Sequence, residues 1–208
     1  MEMRFMNKFR TFDPCTMLSP VPVVMVSCRG VEAEAKPNII TIAWAGTVNS
    51  QPPMVSVSVR KERYSHKLIK DSGEFVVNLV DEALCKACDY CGVKSGRDVD
   101  KFAEMQLDAM PALGLEYAPA VAQAPAYLSC KVRQVIELGS HDMFLGEVVG
   151  VQVRDDLFDP DGSLHMESAR LVTYNHGVYQ RTVDVLGFFG YSVARPEVLE
   201  RRMGTYHK

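Results

Sequence analysis

The stretch Pro37-Asn-Ile-Ile-Thr-Ile-Ala-Trp-Ala-Gly-Thr-Val-Asn-Ser-Gln-Pro-Pro-Met-Val-Ser-Val-Ser-Val-Arg60, continued by Lys61-Glu-Arg-Tyr-Ser-His66, carries the densest structural signal in the chain. Val55, Val57 and Val59 alternate with Ser56, Ser58 and Arg60, the period of a strand with one apolar and one polar face. Residues 38–45 form a second expected strand. Gln51-Pro52-Pro53 is the turn between the two, because proline has no N–H to give to a ladder. Ser65 stands where a helix N-cap is expected, ahead of His66-Lys-Leu-Ile-Lys70. A helix N-terminus offers free N–H groups and partial positive charge, so Arg60 and Ser65 make a candidate anion cradle. Trp44 and Asn38 are candidates to face a flat ring.

The 208 residues suffice for one sizeable core with extensions. A hydrophobic share of 47%, a charged share of 24% and a net charge of −3 describe an ordinary globular chain without a general nucleic-acid surface. No apolar run approaches the ~18 residues of a membrane span. Residues 1–15 carry Arg4, Lys8 and Arg10 but lack the apolar centre of a secretory signal, which points to the cytoplasm. Of the six cysteines, Cys15, Cys28 and Cys130 read as small buried residues. Cys85, Cys88 and Cys91 invite a metal reading. On a helix, however, that spacing fans the thiols in about 60° steps, and no fourth ligand follows. No metal site is expected. Cys91 reads either as a packed residue or as a redox thiol.

In chain order, Val23–Cys28 is a buried strand and residues 29–36 a polar turn. The Ser65 helix stops at Ser72-Gly73, and residues 74–80 form another apolar strand. Asp81 caps the cysteine-bearing helix, which Gly92 ends. Residues 93–102 turn into a short helix, and residues 110–125 form an irregular connection. Residues 126–138 and 143–153 form the clearest hairpin, around a Gly139-Ser-His-Asp142 turn. Leu128, Cys130, Val132, Ile136 and Leu138 line one face of the first strand, and Met143, Leu145, Val149, Val151 and Val153 one side of the second. Another strand and a turn at Gly177 follow. Six or seven strands with short helices inserted, no βαβ series and no glycine-rich phosphate loop make a mainly β fold, an antiparallel barrel with helical insertions.

Four segments carry a resemblance: Asn38 to Trp44; Asn49 to Pro53 with Val55 to Arg60; Tyr64-Ser-His66; and Asp89-Tyr-Cys-Gly-Val-Lys-Ser-Gly-Arg-Asp-Val-Asp-Lys-Phe102. Over roughly residues 15–182 the chain resembles the flavin reductase-like family, and its flavoredoxin branch most, whose fold is the FMN-binding split β-barrel. The resemblance implies a split-barrel domain over residues 1–186 with a C-terminal extension over 187–208, and a homodimer with FMN near its interface. Asn38, Trp44 and the backbone of Ile40, Thr41, Ile42 and Ala43 would lie along the isoalloxazine and ribityl chain, with Thr47, Val48 and Asn49 close to the ring. Arg60, Ser65 and His66 would hold the phosphate, and Lys101 would reach the phosphate or ribityl end. His141 and Tyr174 would approach from later in the chain or from the other subunit.

The physics is compatible. FMN needs a dianion cradle, a slot for a flat ring and polar groups facing the pyrimidine edge. Arginine, a helix N-terminus and strand backbone supply these. The flavin carries the redox chemistry, so no catalytic side chain is named. The expected function is an FMN-dependent oxidoreductase passing electrons from NADH, NADPH or a protein donor to an acceptor. The alternatives are a non-catalytic FMN electron carrier with a redox protein partner, and a binding module without flavin on the same barrel.

Overall fold

The computed structural model describes residues 9–182 and 184–206. Twelve strands appear in these residues: β1 (Val21–Pro22), β2 (Val24–Cys28), β3 (Asn38–Ile42), β4 (Ala45–Ser50), β5 (Pro53–Arg60), β6 (Glu74–Leu79), β7 (Ala109–Pro111), β8 (Pro119–Val121), β9 (Ala126–Glu137), β10 (His141–Val153), β11 (Val172–Asn175) and β12 (Val178–Arg181). The helices are α1 (Tyr64–Ser72), α2 (Cys85–Val93), α3 (Lys101–Glu104) and α4 (Pro196–Tyr206). Seven strands form one antiparallel sheet in the order β3-β2-β6-β9-β10-β5-β4. β1, β11 and β12 form a small second sheet, and β7 and β8 a hairpin. The large sheet curls until β3 and β5 come into contact, yet no ladder joins its two edges. This is the split barrel expected from the sequence.

The sheet packs on both faces. Inside the curl lie Val26, Val57, Val59, Ile69, Phe75 and Phe144, all at most 1% exposed. Outside it, Met25 and Ile39 pack against α2 and α3 through Leu84, Cys88, Cys91 and Phe102. β2 is therefore buried on both faces, which explains its unbroken apolar run.

Several local readings change. Residues 38–45 are not one strand: β3 ends at Ile42 and the chain bends before β4 begins at Ala45. The Gln51-Pro52 turn joins β4 to β5, while β3 lies at the far edge of the sheet. The N-cap of α1 lies two residues earlier than expected, at Arg63 and with no side-chain cap, so Ser65 lies in the first turn; Gly73 ends the helix in the left-handed region (φ 67°). The Asp81 carboxylate accepts from the Leu84 N–H at 3.1 Å, a turn ahead of α2, and Gly92 falls inside that helix. Residues 110–125 contain most of the β7–β8 hairpin. His141 is the first residue of β10 rather than part of the turn.

The buried faces of the long hairpin also differ from expectation. On β10, Asp142, Phe144 and Gly146 are buried, while Met143 and Leu145 are half-buried. Apolar residues occupy both faces of this strand, so alternation does not mark the inner one. On β9, Arg133 is an extra residue between the Val132–Gly146 and Gln134–Leu145 pairs. That bulge resets the alternation and brings Val135, not Ile136, against the core. After β12, the described part of the extension contains α4, and the Arg202 guanidinium lies 3.9 Å over the Phe188 ring.

Candidate functional site

Pairing of β5 with β10 places His141 opposite Arg60 and Asp142 opposite Val59. Cross-strand partners share a face, so Arg60 and His141 point together to the outside while Val59 and Asp142 point inward. Outside, the sheet edge β3, the bend at Ala43-Trp44 and the α1 entry enclose two cavities. One, of about 300 Å³, is lined by Asn38, Ile40, Glu62, Arg63, Tyr64, Ser65, Cys91, Lys94, Ser95, Gly96, Arg97 and Lys101. The other, of about 270 Å³, is lined by Ile40, Thr41, Ile42, Ala43, Trp44, Ser58, Arg60, Arg63 and His141. Ile40 and Arg63 belong to both, so the two form one cleft along β3.

The first cavity is cationic. Arg63, Lys94, Arg97 and Lys101 line it against a single carboxylate, Glu62. The first turn of α1 leaves the N–H groups of Tyr64 and Ser65 without intrahelical carbonyls. Buried Asn38 donates from Nδ2 to Ser65 Oγ at 2.7 Å, tying β3 to the helix start. Gly96 approaches so closely that a Cβ there would overlap the Asn38 carboxamide and come within 2.9 Å of the Tyr64 ring. Arg97 donates to the Glu62 carbonyl at 3.1 Å and stacks over Tyr64 at 5.5 Å. Lys101 is 3% exposed, and its Nζ donates to the carbonyls of Ile39 and Cys91 at 2.7 Å each. Burial pushes its pKa below the ordinary lysine value, and nearby Arg63 adds to this. The Cys91 thiol is pushed up to about 11, chiefly by burial, so it stays protonated and behaves as a packed residue.

The second cavity is flatter and more open. Trp44, the only tryptophan, is 47% exposed, and its ring centroid lies 4.6 Å from that of His141. Burial, and then Arg60, push the His141 pKa below its ordinary value, which favours a neutral imidazole. Arg60 is half-exposed and pairs with Glu62 at 3.3 Å.

The cleft thus gathers Asn38, Ile40, Thr41, Ile42, Ala43, Trp44, Arg60, Ser65, Lys101 and His141 from the sequence-derived set. Thr41 contributes backbone, since its hydroxyl donates to the Cys88 carbonyl. Five residues are not brought in. Thr47, Val48 and Asn49 lie exposed along β4, and the Asn49 side chain donates to the Pro52 carbonyl. His66 is buried beneath the cleft, with Nε2 2.8 Å from Asp142 Oδ2. Tyr174 stacks edge-on with Tyr179 in the small sheet. Arg63, Lys94, Ser95 and Arg97 also line the cleft without having been singled out in the sequence, although the Cys91–Phe102 run contains three of them. Among the described residues, no group of three or more His, Cys, Asp or Glu side chains is arranged to hold a metal ion.

A sequence model described as the flavin reductase like domain matches residues 17–182. The chain belongs to the flavin reductase-like family. Within that family it falls with the flavoredoxins: the flavoredoxin of Desulfovibrio vulgaris (Miyazaki F) superposes with a TM-score of 0.80 at 29% identity, over 87% of this chain and 97% of that one. The NADH:riboflavin 5'-phosphate oxidoreductase of Streptomyces pristinaespiralis is 28% identical over 69% of this chain and 76% of its own length. The high molecular weight rubredoxin of Moorella thermoacetica is 32% identical over 51% of this chain and 45% of its own length. The cleft lies on a flavin-binding fold, and no described helix is long and apolar enough to cross a membrane.

Proposed function

We propose that the cleft binds FMN and that the chain is an FMN-dependent oxidoreductase, taking electrons from NADH, NADPH or a protein donor and passing them to an acceptor. The observation that carries this reading is the division of one continuous cleft into a cationic half and a flat half that share Ile40 and Arg63. Arg63, Lys94, Arg97 and the α1 N-terminus would hold the phosphate, with Ser65 oriented by Asn38. Lys101 would add charge from below while its two carbonyl bonds keep it in place. Backbone groups of Ile40 to Ala43 would meet the polar edge of the ring system, and Trp44, Arg60 and His141 would border it. Bound FMN supplies two-electron and one-electron redox chemistry, which none of these side chains offers.

The half-exposed rim at Trp44 leaves a route for a nicotinamide to the ring. Exposed Val48 on β4 and exposed Leu18, Leu186, Phe189 and Val193 support a homodimer as part of this proposal. The buried free thiols of Cys28, Cys88, Cys91 and Cys130 suit a reducing cytoplasm.

Purified protein loaded with FMN tests the reading. Binding followed by anaerobic bleaching with NADH or NADPH alone supports the reductase. Binding without bleaching, but with reduction through a redox protein, supports an electron carrier. A chain that ignores FMN contradicts both.

A further inference from the structure

Three segments that line the cleft are each followed, one residue later, by a member of a single polar cluster centred on Asp142. Lys61 follows Arg60, His66 follows Ser65, and Asp142 follows His141. Asp142 is 3% exposed and faces the core opposite Val59. Its Oδ2 lies 2.8 Å from His66 Nε2, and its Oδ1 3.3 Å from Lys61 Nζ. Lys61 also reaches Glu137 Oε2 at 3.1 Å, and Phe144 meets the His66 ring edge-on at 5.2 Å. One carboxylate therefore links β5, α1 and β10 where each delivers a residue to the cleft.

Stability alone does not call for a charge at this position. Its cross-strand neighbours are Val59 on β5 and Glu137 on β9, its next inward neighbour is Phe144, and well-packed apolar residues replace buried ion pairs at little or no loss. Geometry gives the charge a use. Lys61 holds the Arg60 end of β5 and His66 holds the first turn of α1. The main chain at Asp142 sets where His141 stands against Trp44. We infer that Asp142 is a positioning residue, which sets the phosphate half and the ring half of the cleft in register through His66 and Lys61. The inference rests on FMN as the occupant, but its first consequence is readable without FMN, because Trp44 is the sole tryptophan and abuts His141.

The test compares D142N, K61M and the apolar pair H66L/D142L with the wild type. Each is followed by Trp44 emission without ligand, by FMN titration and by thermal unfolding. Expected are a shifted Trp44 emission for D142N and for the pair, and FMN affinity about tenfold lower for D142N, the equivalent of one charged hydrogen bond. K61M, altered at a half-exposed site, should fold and show a smaller loss in the same direction. The apolar pair should unfold near the wild-type temperature yet keep the weakened FMN binding, which separates positioning from packing. An apolar pair with wild-type emission and wild-type FMN affinity would overturn the inference. Should no protein in the set, the wild type included, bind FMN, the proposed ligand fails; unchanged Trp44 emission in D142N and K61M would still overturn the positioning role.

Discussion

The two halves of the cleft are built by different means. The cationic half is locked by side-chain contacts of long sequence separation: Asn38 to Ser65, Lys101 to the Ile39 carbonyl, Arg97 to the Glu62 carbonyl, and the close approach of Gly96. The flat half is mostly backbone of β3 and the following bend, edged by half-exposed Trp44 and Arg60. A charged, prebuilt pocket suits a group that must be held, because ordered donors gain most against an anion without rearranging. An open, flat slot suits a ring that a second molecule has to reach. On the proposed reading, the contrast separates affinity, placed in the cationic half, from access, placed in the flat half.

Breaking the first half should have the largest effect. Gly96→Val drives a side chain into Asn38 and Tyr64. It is expected to destabilise the fold by about 1–3 kcal/mol, read from the denaturant midpoint, and to abolish the preference for FMN over riboflavin. Arg63→Ala should come next. Arg63 lines both cavities, so FMN binding should weaken by about 1.5–3 kcal/mol while riboflavin binding changes far less. Trp44→Ala addresses the other half and should weaken FMN and riboflavin alike, by about 0.5–1.5 kcal/mol in parallel titrations. A loss confined to FMN would place the indole against the phosphate end and reverse the comparison.

The smallest effect concerns acid. Burial opposes ionisation of Asp142, but hydrogen bonds from His66 and Lys61 outweigh it and hold the carboxyl below its ordinary value; Glu137 shares Lys61. A carboxyl depressed in the folded state contributes stability that is complete above its unfolded pKa and fades as pH falls through the folded one. Thermal unfolding of the wild type should therefore lose this contribution below about pH 4, near the ordinary carboxylate value. D142N should show a shallower decline over the same window.

Much of the fold was legible because its strands carry β-branched residues, in alternation or in unbroken apolar runs. Val55 to Arg60 and Val23 to Cys28 announce themselves through β-branched residues, and the absence of a βαβ series excluded a doubly wound sheet. The faces of β10 were not legible, since Met143 and Leu145 are as apolar as Phe144 and the Arg133 bulge shifts the register without a sequence mark. Of the cleft-lining residues, Asn38, Trp44, Arg60 and Ser65 were legible because each lies on or beside the most regular stretch. Ser65 resembled a cap, yet its hydroxyl accepts from Asn38 instead. Arg63 was hidden because its importance comes from standing where two cavities meet. His66 faces Asp142 rather than the cleft, a pairing that only strand register creates. Such facts belong to tertiary register, which a linear pattern does not encode.

On the proposed reading, one cleft holds a phosphate at one end and a flavin ring at the other. Titration of the purified chain with FMN and with riboflavin, followed by quenching of Trp44 emission, tests it most directly. Saturable quenching by FMN at one flavin per chain is expected, with riboflavin bound at least about tenfold more weakly, or ~1.4 kcal/mol. Equal affinity for the two, or no quenching by FMN, would contradict it.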